Sequence, residues 1–422
     1  MLKKLEMTIP SELLGLSDIN ILEIYLRDGR ELVIQVESTQ ADTPCRNCGK
    51  TCKAHGYDRP MELRHLPILG YKTFIQLTPR RGICTDCDDK PVTTTQTLDW
   101  YDRHARQTKP YESYLLFELI NSTLADVSRK EEMDWHTIEN ILDKHIDTEV
   151  DFEQIPFLGV LGIDEISLRK GHKKYVTVIT YRHNDKVKIL KTIDGRDRKP
   201  VESFLNSIPK RLKHTVSAVC SDLYEGYINA AKKVFGHKVI TADRFHVAKL
   251  YRKQLIVVRK SELKKLRKTL TKEEYKSLKP AIALLRKGRD YFTDEEKVIV
   301  DPLFNYSKKL KLAYNYSHYL TSIFNSKITK QEATEKFRTW ISDVSSSELN
   351  CFNTFMGNLK KYMNEISNYF TQRNTSGFVE GFNNRIKVLT RRCYGIKKAT
   401  SLFQRIKLDT EGFEMFKFAG AQ

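Results

Sequence analysis

Two matched cysteine pairs constrain this chain more than any other feature: Cys45-Arg-Asn-Cys48-Gly49 and Cys84-Thr-Asp-Cys87. Thiolates spaced as C-x₂-C, taken two pairs together, can close one tetrahedral Zn²⁺ site. The 36 positions from Cys48 to Cys84 exceed the spacing of a compact finger and suit a ribbon carrying an inserted hairpin. The flanking sequence agrees. Residues 22–27 and 31–36 alternate around Asp28-Gly29, a strong hairpin turn, and residues 71–77 fit a further strand. Residues 1–100 are therefore expected to form a small β-rich domain held by Cys45, Cys48, Cys84 and Cys87, with Cys52 and His55 as substitute ligands. The competing reading of a C-x₂-C is a redox dithiol, which a second matched pair makes less apt. Cys220, Cys351 and Cys393 read as ordinary buried or free thiols.

Charge narrows the partner. The chain carries 72 Lys+Arg against 53 Asp+Glu, a net charge of +19 over 422 residues. Such an excess favours a polyanion, because neutralising phosphates releases their counterions. An acidic membrane surface would also attract it, but no basic amphipathic segment of that kind stands out. No apolar run reaches about 18 residues, so no spanning helix is expected. The first residues lack a signal peptide's apolar core, and a cytoplasmic protein is expected. That compartment argues against structural disulfides.

After residue 100 the pattern changes. Over 110–147 apolar residues recur at helical spacing, from Leu115, Leu116 and Leu119 to Ile138, Ile141 and Leu142. Asp134-Trp135 sits between two short helical runs, as in a helix-turn-helix. Glu139 and Asp143 on the second run are unusual for a helix lying on DNA, and a structural linker is the alternative. Residues 156–245 read as α/β, with a meander of strands followed by helix-linked strands that end at Asp222 and Asp243. An RNase H-like sheet has that order. Residues 246–370 look helical. Within 249–289 stand 15 Lys/Arg and 3 Asp/Glu, which suits a phosphate-contacting arm or, less specifically, a solvated coiled-coil face. From 377 another helix is expected, capped by Ser376. Phe378, Phe382, Ile386 and Leu389 share one face, and Glu380, Asn383, Asn384, Lys387 and Arg391 share another. The expected organisation is a β-rich zinc-finger domain over 1–100 and a helix-turn-helix region over 101–150. A catalytic core follows over 151–245 and 371–410, interrupted by a helical basic insertion over 246–370.

Asp164 and Asp222 each end an apolar strand, where a charge is costly unless it has a purpose. A helix could bring Glu380 to them. Clustered carboxylates repel, which a divalent ion would relieve, and Mg²⁺ needs only a few hard oxygen ligands. Two such ions can activate a nucleophile and support the leaving oxygen of a phosphodiester. A plainer alternative is that each Asp caps a loop or a helix.

The blocks CRNCG, SRKEEMDWHTIENIL, LGIDEISLRKGHKKYVTVI, CSDLYEGY, TADRFHVAKL and FVEGFNNRIKVLTRRCYGIKKATSLFQRI, in this order, resemble a known family. The chain is similar to bacterial insertion-sequence transposases of the ISL-three family, over nearly its whole length. The resemblance implies a DDE catalytic core in which Asp164, Asp222 and Glu380 hold two Mg²⁺ ions, with Mn²⁺ as a substitute. Asp243 falls in a family signature, and a structural role is expected for it. Glu165 should point to the opposite strand face and is not a ligand candidate. The family often has Asn where this chain has Ser376. Lys387, Arg391 and Arg392 would hold the phosphate backbone. Implied partners are double-stranded DNA, as terminal inverted repeats and target, and at least a second copy of the chain. The implied reaction is strand cleavage followed by strand transfer, moving an insertion-sequence element. A non-catalytic DNA-binding regulator descended from a transposase, or a nuclease that cuts without joining, would share most of these features.

Overall fold

The computed structural model describes residues 2–87, 91–168, 175–184, 186–236, 240–347, 349–372 and 377–416, with the backbone alone for 290, 372 and 377–380. The chain is mixed α/β and divides into two compact units, Met1–Asp147 with Lys407–Gln422, and Thr148–Ile406.

The first unit opens with five strands, β1 (Leu2–Lys4), β2 (Ile19–Arg27), β3 (Glu31–Ser38), β4 (Lys53–Tyr57) and β5 (Met61–Ile68), followed by β6 (Tyr71–Leu77), β7 (Arg80–Cys84) and β8 (Val92–Thr95). They form two sheets, ordered β1-β2-β3-β6-β5 and β4-β7-β8. The β2–β3 hairpin turns through Asp28 and Gly29 at φ 49° and 69°. That left-handed backbone is why an Asp-Gly pair stands there. Alternate residues Ile24, Leu32, Ile34, Val36, Leu63, Ile75 and Leu77 make the core of the larger sheet, covered by Leu14, Leu98 and Trp100. Trp100 Nε1 donates to the Ser17 carbonyl at 3.1 Å, so its buried polar atom is satisfied.

Three helices follow: α1 (Lys109–Leu119), α2 (Leu124–Glu131) and α3 (Trp135–His145). Each begins where a side-chain oxygen takes an otherwise orphaned amide. Thr108 accepts from Tyr111, Thr123 from Asp126, and Asp134 from His136. The turn between α2 and α3 passes through Glu132 in the left-handed region. Tyr111, Leu115, Leu119, Val127, Ile138 and Leu142 form the helical core, joined by Leu408 and Phe416 of the returning C-terminal segment.

In the second unit, β9 (Gly159–Ser167), β10 (Tyr175–His183) and β11 (Lys186–Asp194) form an antiparallel meander. Helices α4 (Arg198–Ser207) and α5 (Lys210–Lys213) lead to β12 (Val216–Ser221), and α6 (Glu225–Phe235) leads to β13 (Ile240–Ala242). The sheet order is β11-β10-β9-β12-β13, with β12 parallel to both β9 and β13. A helical segment comes next: α7 (Arg244–Thr269), α8 (Lys272–Ser277), α9 (Lys279–Leu284), α10 (Asp294–Tyr306), α11 (Lys308–Asn325), α12 (Lys330–Ser345), α13 (Asn353–Lys361), α14 (Met363–Ser367) and α15 (Tyr369–Gln372). The chain then returns to the sheet with α16 (Gly377–Arg392) and α17 (Ala399–Met415). One sheet face packs Leu161, Ile163, Ile179 and Leu190 against Val201, Leu205, Tyr227 and Ile228 of α4 and α6. The other packs Val176, Val178 and Ile189 against Phe382, Ile386 and Leu389 of α16. Covering both faces explains why these strands read as nearly continuous apolar runs. The side chain of Phe378, expected on the same stripe, lies outside the described residues, as does the expected cap Ser376. Among the described residues no helix is long and apolar enough to cross a membrane.

His65 on β5 is buried, with Nδ1 2.9 Å from Thr108 Oγ1. Burial lowers its pKa from 6.5 to about 4, against an opposing hydrogen bond with the Leu14 backbone. The unfolded chain thus binds a proton that the folded one refuses, so the stabilisation is complete above pH 6.5 and is lost as pH falls towards 4. The difference amounts to about 3 kcal/mol. Hydrogen exchange at the amides of Met61–Ile68 should show this loss between pH 6.5 and 4, and His65→Gln should flatten it.

Candidate active site

The strand register builds the site. Ile163 of β9 lies opposite Ser221 of β12, and Ser221 opposite Ala242 of β13. The next residue along each parallel strand is an aspartate: Asp164, Asp222 and Asp243. Three carboxylates therefore stand in a row across neighbouring strands.

Their surroundings differ. Asp222 is mostly buried, and burial pushes its pKa up to about 6, with the charge of Asp164 adding to the rise and an amide from Tyr224 opposing it. Tyr224 N donates to Asp222 Oδ1 at 3.0 Å. Asp164 is raised too, first by burial and further by Asp243, while the Glu165 amide, His246 and Lys387 oppose the rise. Asp243 is buried, and its Oδ1 accepts from Phe245 N at 2.9 Å to cap α7. Its Oδ2 lies 2.7 Å from His246 Nδ1, a contact that raises the histidine's pKa. Asp243 thus fixes a helix start and orients an imidazole whose charge is felt by both Asp164 and Asp222.

Helix α16 joins the row from the other side. Asn383 Nδ2 donates to Asp164 Oδ2 at 2.5 Å, and Asn383 is buried. Glu380 belongs to the same helix one turn earlier, at i−3 from Asn383. Its side chain lies outside the described residues. Lys387 and Arg391 are exposed and Arg392 is half-buried on the same helix. Lys387 is close enough to pull on the Asp164 charge. Glu165, beside Asp164, sits 3.8 Å from Arg196, and its buried Oε2 has no hydrogen-bond partner among the described residues. Pattern alone did not single out His246 or the Asn383 contact. The only hints were the ADRFH block and the i, i+3 spacing from Glu380.

The second cluster is sulfur. The Sγ atoms of Cys45, Cys48, Cys84 and Cys87 all lie within 4.8 Å of one another. Cys45–Cys87 is 3.5 Å, Cys48–Cys84 3.6 Å and Cys84–Cys87 3.7 Å. A tetrahedron with Zn–S near 2.3 Å has edges of about 3.8 Å, so the four fit such an ion. Amides of Cys48 and then Asn47 point at Cys45 and lower its pKa to about 6, as a thiolate ligand requires. Cys52 packs beside the cluster but is not one of the four. Room is tight there: a Cβ on Gly82 would fall 2.5 Å from Cys52 Cβ.

A sulfur knuckle, a helix-turn-helix and a row of strand-end carboxylates together define a protein that handles DNA, and comparison with known proteins gives the family. A family model described as a transposase matches residues 161–406, and a model of the helix-turn-helix domain of transposase family ISL3 matches 96–146. The chain belongs to the ISL3 family of transposases. It is similar to the transposase for insertion sequence element IS1001 of Bordetella parapertussis, 26% identical over 90% of this chain and 91% of that one. It is also similar to the transposase for insertion sequence element IS1557 of Mycobacterium tuberculosis, at 22% over 94% and 92%. Among solved structures, the Drosophila P element transposase strand transfer complex aligns at a TM-score of 0.38 and 11% identity, over 75% of this chain and 94% of that one.

Two measurements follow from the two clusters. Elemental analysis should find about one Zn²⁺ per chain, and Cys45→Ser should lower it and speed hydrogen exchange across β4, β7 and β8. A metal-free protein with those strands still protected would contradict the site. For the carboxylates, the folded pKa of Asp222 lies above its unfolded value, so its ionised form destabilises the metal-free protein above pH 6. Asp222→Asn should then raise the melting temperature in EDTA at pH 7.5, a gain on the order of 1–3 kcal/mol.

Proposed function

We propose that this chain cuts and joins DNA at the terminal inverted repeats of an insertion-sequence element, using Asp164, Asp222 and Glu380. The observation that carries this reading is the approach of α16 to the strand ends. The Asn383–Asp164 hydrogen bond ties the helix bearing Glu380 to the sheet edge where Asp164 and Asp222 already stand together. The sheet order, a three-strand meander followed by two parallel strands, supports an RNase H-like core.

Hard carboxylate oxygens at a half-buried site suit Mg²⁺, with Mn²⁺ as a substitute, and the raised pKa of Asp222 fits a group awaiting a cation. When bound, two such ions would activate the nucleophile and stabilise the leaving oxygen of an in-line displacement. The chain's own groups do the rest. Asn383 fixes Asp164 Oδ2 while the Glu165 amide, at 2.7 Å, orients Oδ1. The Tyr224 amide orients Asp222 through Oδ1 and leaves its Oδ2 for a ligand. His246 is held by Asp243 beside an anionic centre, and that contact raises its pKa and favours its charged form. Lys387, Arg391 and Arg392 follow along the helix and would hold the phosphate backbone in line.

The four-part division stated from sequence carries over as a proposal. The zinc-finger domain and helix-turn-helix would read the repeats, the core would do chemistry, and the basic insertion would contact phosphates. Joining two ends implies at least a dimer on DNA, and the protein would act in the cytoplasm at the nucleoid.

The test is a labelled fragment carrying the element's own ends, incubated with Mg²⁺ or EDTA. Nicks at the termini should require Mg²⁺ and disappear in Glu380→Ala and Asp222→Ala, while DNA binding persists. Binding without cleavage by the unaltered chain would favour the regulator. Cleavage without joined products on a target plasmid would favour the nuclease.

A further inference from the structure

A cavity of about 320 Å³ lies in the helical segment after β13, lined by Arg252, Leu255, Ile256, Arg259, Leu285, Arg286, Ser317, His318 and Thr321. The first four sit at i, i+3, i+4 and i+7 of α7 and so share one helix face. Arg252 and Arg259 are therefore two turns apart, about 10 Å along the axis. Leu285 and Arg286 follow α9, and the remaining wall is α11. The floor is apolar, with Leu255 and Leu285 buried, while Ile256 is 42% exposed at the mouth. The His318 ring is set by the Tyr314 ring at 4.2 Å and by the Leu285 carbonyl, 3.4 Å from Nε2.

What sets this cavity apart is that three guanidiniums converge on it. Only three cations of the same basic run, Lys265 with Glu262, Lys287 with Glu296 and Arg289 with Asp301, have carboxylate partners among the described residues. Among the described residues no carboxylate pairs with Arg252, Arg259 or Arg286. Three guanidiniums around one cavity repel each other until an anion arrives, and their planar donor forks match phosphate oxygens. The apolar floor asks for more than phosphate. Its volume suits one flat base with its sugar, far less than a duplex, and Arg and His faces stack on bases.

We propose that this cavity binds one nucleotide, the base on the apolar floor beside His318 and the phosphates on Arg252, Arg259 and Arg286. A nucleotide can reach it as a unit extruded from a DNA strand or as a free nucleotide. The strand-borne form rests on the transposase reading, and the free form does not.

Binding is measured with the full chain in EDTA, which separates it from cleavage. The probe is a single-stranded hexanucleotide carrying 2-aminopurine, with dATP as competitor. Arg259→Gln/Arg286→Gln should weaken strand binding about tenfold and reduce the slope of log K against log salt by about 1.4, near 0.7 per lost phosphate contact. The charge-matched Lys210→Gln/Lys213→Gln on α5, at the end of β12 away from Asp222, should leave both unchanged. The 2-aminopurine signal should rise on binding and stay flat with Ile256→Trp, which blocks the mouth. Displacement by dATP would assign the free nucleotide, and its failure to compete would assign the strand-borne one. Equal losses in both double variants, or no loss in either, would overturn the proposal. Normal nucleotide binding by a chain that never cuts DNA would leave the pocket standing and remove the catalytic reading alone.

Discussion

The alignment of three parallel strand ends is the constraint on which the rest of the second unit depends. Ile163, Ser221 and Ala242 are cross-strand neighbours, so the residues that follow them arrive at one edge together. Side chains alternate along a strand, and slipping one register position would turn each aspartate to the opposite sheet face and bury the wrong set of residues. The apolar layers on both faces hold that register. Leu161 and Ile163 are locked under α4 and α6, and Val176 and Val178 under α16. The core packing is thus what forces like charges together. Burial and repulsion raise Asp164 and Asp222, a strain that a site designed for a cation can carry.

Two kinds of donor set serve two purposes in this chain. The four sulfurs sit on short knuckles whose backbone amides favour a thiolate, in a small sheet with little apolar core of its own beyond Cys45, Cys52 and Cys84. A segment of that kind would gain stability from an ion held by the four sulfurs. The carboxylates instead stand on a sheet whose two faces are packed by apolar side chains. Soft ligands suit a closed site and hard oxygens an open one.

The long segment between Asp222 and Glu380 has its own logic. Buried aromatics, Phe304, Tyr314, Phe324, Phe337, Trp340 and Phe355 among them, pack α7 through α15 into the same core cluster as the sheet. Asn368 Nδ2 donates to the Ile240 carbonyl at 2.6 Å, linking the end of this segment to β13. That rigidity lets α16 return to the strand ends in a defined position, where Asn383 meets Asp164. It also presents a face of α7 on which Arg252 and Arg259 have no acidic partner among the described residues.

Much of this was legible in sequence because it is local. The cysteine spacing, the Asp-Gly hairpin turn, the break at Asp134-Trp135 between two helical runs and the apolar stripe of Phe382, Ile386 and Leu389 are local patterns, and backbone geometry alone translates them into structure. Family resemblance is what pointed to Asp164, Asp222 and Glu380, which pattern could not separate from ordinary caps. Asp243 shows why, since it is a helix cap and a neighbour of the site at once. By itself, then, the sequence determined the β2–β3 hairpin, β6, the strands of the second unit, the helical runs and which residues carry charge or sulfur, but it left β1, β4, β5, β7 and β8 unmarked. Only the tertiary structure decided that Asp164 is held by Asn383, 219 positions away, that His246 faces the carboxylates, and that three arginines from two separated helical stretches surround one cavity. These are long-range contacts, set by strand register and by packing of both sheet faces, and no local period encodes them.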